Sequence, residues 1–110
     1  MPSRYEKGRL LEYAVKRKLK AVGYTVFRCA GSKPCDLMAL KPGEILLVEC
    51  KTGRNPYVSQ EALNRLKMLS QEIGATPVLA VRKAHRSIRF YRINAALEKE
   101  ACHLRSLSIP

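Results

Sequence analysis

An α+β domain around a mixed β-sheet, with elements in the order αβββαββ, is the fold class that the sequence predicts, and three observations predict it. Two stretches carry apolar residues at helical spacing between capping and stop residues. Short runs rich in β-branched and aromatic residues stand between and after them. One Pro-Gly pair divides two of those runs as a hairpin turn would. At 110 residues the chain is near the usual size of one domain, so a single domain over 1–110 is expected.

The first helix starts where Ser3-x-x-Glu6 forms a capping box. Leu11, Val15, Lys18 and Val22, with Leu10, Ala14 and Leu19 beside them, trace its stripe, and Gly23 stops it. Thr25 to Cys29 is a strand, and Ala30-Gly31-Ser32-Lys33-Pro34 is loop chemistry. Asp36 to Leu40 and Ile45 to Cys50 are the hairpin strands, joined through Lys41-Pro42-Gly43-Glu44. Ser59 caps a second helix with Ala62, Leu63, Leu66, Leu69 and Ile73 on one face, ended by Gly74. Pro77 to Val81 reads as a buried strand. Ser87 to Ile93, with Arg89 and Arg92 among its apolar residues, reads as a strand in a wetter or edge position, after which Asn94 caps a short C-terminal helix.

Twenty-one Lys and Arg against nine acidic residues give a net charge of +12, which favours a polyanionic partner, and nucleic acid above all. A membrane surface is disfavoured because the basic residues spread along the whole chain instead of facing a broad apolar stripe. Neither a signal-type apolar region nor a membrane-length apolar run is present, so an intracellular protein is expected, with no small-molecule substrate. Charge of this kind also belongs to architectural proteins, so it selects the partner and leaves the chemistry open. Cys29, Cys35, Cys50 and Cys102 lack zinc-knuckle or dithiol spacing and read as reduced thiols, although Cys29 and Cys35 flank one loop and could cross-link if oxidised.

The chemistry resides at the mouth of the hairpin. Asp36 is the only aspartate, and it begins an apolar strand where a charge must be paired, ligated or solvated. Glu49 and Lys51, two apart on a strand, share a face. A two-residue turn at Pro42-Gly43 and a four-residue turn from Lys41 to Glu44 give the same register, which continued down the hairpin pairs Asp36 with Glu49. A three-residue loop would instead turn the two carboxylates to opposite faces. Opposed carboxylates at about 5 Å repel unless a cation or proton lies between them. A hard divalent cation suits such a pair beside a basic surface, with Lys51 to orient a nucleophile or neutralise developing charge, which points to phosphodiester hydrolysis. The structural alternative is a rim ion pair of Glu49 with Lys51 and a strand-capping Asp36.

These residues resemble the PD-(D/E)xK nuclease superfamily and, within it, the archaeal-type Holliday junction resolvases, which also occur in some viruses. The likeness runs from about Tyr5 to about Val81. It rests on Lys7-Gly8-x-x-x-Glu12, on Val26-Phe27-Arg28-Cys29-Ala30-Gly31-Ser32 followed by Asp36, on Val48-Glu49-Cys50-Lys51, and on Pro77 to Val81. The resemblance implies a restriction-endonuclease-like fold and a homodimeric, structure-selective endodeoxyribonuclease that cuts four-way DNA junctions. It also implies Mg²⁺, with Mn²⁺ as a substitute, bound by Asp36, Glu49 and Glu12, with Lys51 assisting catalysis and Ser32 matching a loop serine implicated in cleavage. Gln60 matches a glutamine near the site in related nucleases. Read on periodicity alone, Glu12 is an exposed partner of Lys16, Ser32 is turn chemistry, and Gln60 a helix-start residue. Arg4, Lys7, Arg28, Lys33, Arg54 and Arg82 are candidates for phosphate contacts, each a solvated charge when taken singly. The chain departs from a generic member in its cysteines and its short C-terminal end. Two competing readings are a non-catalytic basic DNA-binding protein and a nickase or repair nuclease of the same superfamily with a different DNA shape preference.

Overall fold

Ser3 begins the first helix, α1 (Arg4–Ala21), with a complete capping box: the Glu6 amide donates to Ser3 Oγ at 3.2 Å and the Ser3 amide to Glu6 Oε1 at 2.9 Å. The computed structural model describes residues 3–54, 57–84, 86–93 and 104–106. Within them α1 is followed by β1 (Thr25–Arg28), β2 (Leu37–Lys41), β3 (Glu44–Gly53), α2 (Gln60–Ile73), β4 (Thr76–Lys83), β5 (Arg89–Ile93) and β6 (Leu104–Ser106).

The strands form one six-stranded sheet in chain order, antiparallel except where β3 and β4 run parallel. That parallel step needs a crossover, and α2 supplies it. The helices cover opposite faces. Leu11, Val15 and Leu19 of α1 pack on Val26, Leu37, Ala39, Val48, Val78 and Phe90. Leu63 and Leu66 of α2 pack on Leu47, Leu79 and Ile93. Along β3 the even-numbered side chains from Leu46 to Cys50 therefore face α1, whereas Ile45 and Leu47 face α2.

The hairpin has the register that a two-residue turn dictates, from Lys41 opposite Glu44 to Leu37 opposite Val48. Gly43 sits at φ 76°, a conformation open to glycine and costly for a residue with a Cβ, which is why Pro-Gly makes this turn tight. A clasp ties the turn to the end of α1. Tyr24 Oη donates to Glu44 Oε1 at 2.5 Å, and the Lys41 ammonium lies 4.3 Å from the Tyr24 ring centroid while donating to the Val22 carbonyl.

Three expectations need correction. Of the two positions open to the strand Arg89–Ile93, the edge is excluded, because β6 pairs with it on the side away from β4, and the wetter one holds, with Arg89 and Arg92 exposed. The order αβββαββ accordingly lacks a strand: β6 contains only three residues, too few for a period-2 pattern to register. The buried stripe of α2 is rotated from the purely apolar one, with Lys67 and Ser70 buried and Ile73 exposed. The helix expected after Asn94 lies outside the described residues.

Ser70 is fully buried and its hydroxyl has no hydrogen-bond partner among the described residues. An unmade buried hydrogen bond costs about 1–3 kcal/mol. Ser70→Ala should therefore raise the urea midpoint, by about 1 kcal/mol of stability at an unchanged slope. A lowered midpoint would mean that the hydroxyl is satisfied in solution.

Candidate active site

The ladder between β2 and β3 changes character one residue before Leu37, and Asp36 occupies that position. Its amide donates to the Val48 carbonyl at 3.1 Å and its carbonyl accepts from the Cys29 amide at 2.9 Å, so its backbone joins β1 to β3. Its side chain turns to the β3 backbone, where Oδ2 accepts from the Cys50 amide at 2.8 Å. The expected pairing of Asp36 directly across from Glu49 thus stops one step short, at Leu37 and Val48. The break is visible in the neighbours too: Cys35 belongs to the α2-side core and Leu37 to the α1-side core, although residues two apart on a regular strand share a face.

Asp36 is only 6% exposed. The charge-assisted bond from the Cys50 amide offsets part of the cost of burying it. Glu49, on the same stretch of β3, is pushed up to about 7 by burial first and by the negative charge of Asp36 second. Lys51 and Arg65 oppose that rise, and Glu12 adds to it. The Lys51 ammonium lies 3.8 Å from Glu49 Oε2, at the outer limit of an ion pair. Burial and the nearby carboxylates, Asp36 first among them, also raise the Cys50 thiol. Cys35 is pushed up to about 12, again mainly by burial, and its thiol donates to the Leu37 carbonyl. Cys29, Cys35 and Cys50 are all free thiols.

Glu12 reaches this region from α1, but its partner is not Lys16. Arg28 Nε of β1 donates to Glu12 Oε1 at 2.8 Å. Glu12 acts on Glu49 through its charge, yet no group of three or more His, Cys, Asp or Glu able to hold a metal forms among the described residues. The arrangement brings together Asp36, Glu49 and Lys51, with Glu12 held aside by Arg28. Two neighbouring carboxylates, one buried and one with raised proton affinity, remain a donor set suited to a divalent cation that completes its shell with water and phosphate oxygen.

Beside Glu49, on the α2 side, opens a cleft of about 470 Å³ lined by Gly31, Lys33, Pro34, Val58 and Arg65 among others. Lys33 is one of the expected phosphate contacts. Arg65 was not anticipated, because helical spacing marks it as a surface partner of Glu61, 3.8 Å away. Ser32 ends a short 3-10 turn, Ala30–Ser32, on the loop that leads to Asp36. Arg4 and Lys7 lie exposed on the first turns of α1, Arg54 lies exposed just beyond β3, and Arg82 is half-buried on β4. Arg28 is engaged by Glu12. Gln60 turns along α2 to donate to Asn64 Oδ1.

A mixed sheet between two helices, with a carboxylate pair and a lysine at one strand end, is the restriction-endonuclease-like nuclease fold. The chain superposes on the Hjc Holliday junction resolvase of Archaeoglobus fulgidus with a TM-score of 0.71 at 23% identity, over 89% of this chain and 81% of that one. Residues 3–105 match the model of the archaeal Holliday junction resolvase (Hjc) family, and the chain belongs to that family. It is 39% identical over 84 residues to the crossover junction endodeoxyribonuclease Hjc of Methanocaldococcus jannaschii, a stretch that is 74% of this chain and 63% of that relative.

The raised Glu49 carboxyl makes stability depend on pH. Its proton is held more tightly in the folded chain than the value of 4.5 for a free side chain, so its contribution is complete below about pH 4.5 and lost as pH rises through about 7. Metal-free protein should therefore lose up to about 3 kcal/mol from this group over that window, a loss that Glu49→Gln should lack. Denaturation midpoints measured across the window check this, and superimposable pH profiles for the two proteins would refute it.

Proposed function

We propose that this chain is a metal-dependent, structure-selective endodeoxyribonuclease that hydrolyses phosphodiester bonds in four-way DNA junctions. The observation that carries the reading is the pairing of a buried Asp36, fixed by the Cys50 amide, with a Glu49 whose proton affinity is raised and whose neighbour is Lys51. Membership of the Hjc family supports the substrate, as does a net charge of +12.

Asp36 and Glu49 would hold Mg²⁺, or Mn²⁺ in its place. A bound ion of this kind polarises a phosphoryl oxygen and lowers the pKa of a coordinated water. The protein's own residues do the remainder. The Cys50 amide fixes the Asp36 carboxylate, so the anionic ligand is oriented before substrate arrives. Lys51 stands beside Glu49, where it can neutralise charge that develops on the phosphate. Arg28 holds Glu12 at the edge of the site, and Lys33 and Arg65 present cations to a backbone entering the cleft.

Two opposed cuts require two sites, and a homodimer with two-fold symmetry provides them. Leu66 is buried in the core, which leaves exposed Met68 and Ile73 and half-buried Leu69 as apolar area of α2 available for a subunit contact.

The test is cleavage of a labelled four-way junction and a matched duplex, with Mg²⁺ and with chelator. Asp36→Asn can keep the acceptor for the Cys50 amide while losing the charge, so it should fold and bind but cut at least a hundredfold more slowly, as should Glu49→Ala. Paired nicks confined to the junction, and absent with chelator, would bear out the reading. Binding without cuts would favour a non-catalytic DNA-binding protein, and cuts on both DNAs a less selective nuclease.

A further inference from the structure

Glu12 is the one residue of α1 that the proposed site uses, and the outward side of that helix carries a pattern the site leaves unexplained. Tyr5, Arg9 and Tyr13 recur every fourth residue, so they share a strip, which Lys16 and Lys20 continue. Tyr5 is 69% and Tyr13 49% exposed, and neither joins either core cluster. The Arg9 guanidinium lies over the Tyr5 ring, 5.5 Å from its centroid. From β1, Arg28 lies close enough to feel the phenols of both Tyr13 and Tyr5 while it bonds to Glu12. Two exposed rings are thus bounded by guanidinium groups, one of which holds Glu12 at the edge of the proposed site.

Aromatic faces interleaved with cations suit nucleobases, which offer a π-face for stacking and a phosphate on either side. Paired bases inside a duplex have no free face, whereas a branch point is where pairing can open. A second copy of this chain is a poorer occupant, because two such cationic strips would repel each other. We propose that Tyr5 and Tyr13 form a stacking platform for a nucleobase released from pairing at the branch point of the DNA, with Arg9 and Arg28 flanking it for the adjoining phosphates. The proposal rests on branched DNA being the substrate, and it names the feature of that substrate which α1 reads.

The experiment measures binding in chelator, where no cleavage intervenes, to a junction with 2-aminopurine at the branch position and to a matched duplex. It compares wild type with the double variants Tyr5→Ala/Tyr13→Ala and Tyr5→Phe/Tyr13→Phe. Stacking on an aromatic side chain is worth about 1–3 kcal/mol per base, so the alanine pair should lower the ratio of junction to duplex affinity roughly tenfold. It should also abolish the quenching of 2-aminopurine that wild type produces. The phenylalanine pair, which keeps the rings, should match wild type in both. An unchanged ratio and quench in the alanine pair would overturn the platform. So would an equal loss in the phenylalanine pair, which would assign the effect to the hydroxyls. Junction cutting by wild type in Mg²⁺ is scored separately, and its failure would overturn the proposed function, whatever the tyrosines do to binding.

Discussion

The hydrogen bond from the Cys50 amide to the Asp36 carboxylate is the contact on which the site depends. It forms where the β2–β3 ladder stops being regular, and the two facts are connected. A ladder continued to Asp36 would occupy its backbone against Glu49 and leave the carboxylate to find its own partner. Instead the Asp36 amide bonds to Val48, and its side chain takes the amide of Cys50, one residue beyond Glu49. The turn residues Pro42 and Gly43, far along the hairpin, set the register that delivers the chain to this point. The cost is a buried carboxylate beside a second one, and the raised Glu49 carboxyl expresses that cost.

Features governed by near neighbours were legible in the sequence. The capping box at Ser3 and Glu6, the helix stop at Gly74 and the two-residue turn each depend on residues within four positions of one another, and all three form as read. The turn carried the longest inference, from register to the proximity of Asp36 and Glu49. It succeeded as far as Leu37 and Val48, and failed for the last pair because an irregularity in the ladder leaves no composition signal.

What was not legible depends on distant contacts. Glu12 has Lys16 at helical spacing, yet it takes Arg28, sixteen positions away on another element, because β1 lies against α1. No periodicity within α1 could reveal that choice. For the same reason the ion pair that Arg28, a candidate phosphate contact, makes with Glu12 had no signal in the sequence. The sixth strand escaped because three residues pair with β5 across an interval of more than ten, where only the tertiary fold makes the pairing possible. The buried face of α2 includes Lys67 and Ser70, which a hydrophobic pattern would leave outside.

The charge distribution separates two tasks. A net charge of +12 gives a long-range attraction for a polyanion, and salt screens it beyond about 10 Å. The carboxylates are set into the end of the sheet, where Asp36 is shielded from solvent, Lys51, Arg65 and Lys33 stand near Glu49, and Arg28 engages Glu12. Attraction for a polyanion therefore does not require Asp36 or Glu49, and a negative pair inside a positive surface opposes the approach of a phosphate until a counter-charge intervenes. The unfavourable field is centred on one strand end, where the divalent cation proposed for this site and a phosphate together would convert it into binding energy.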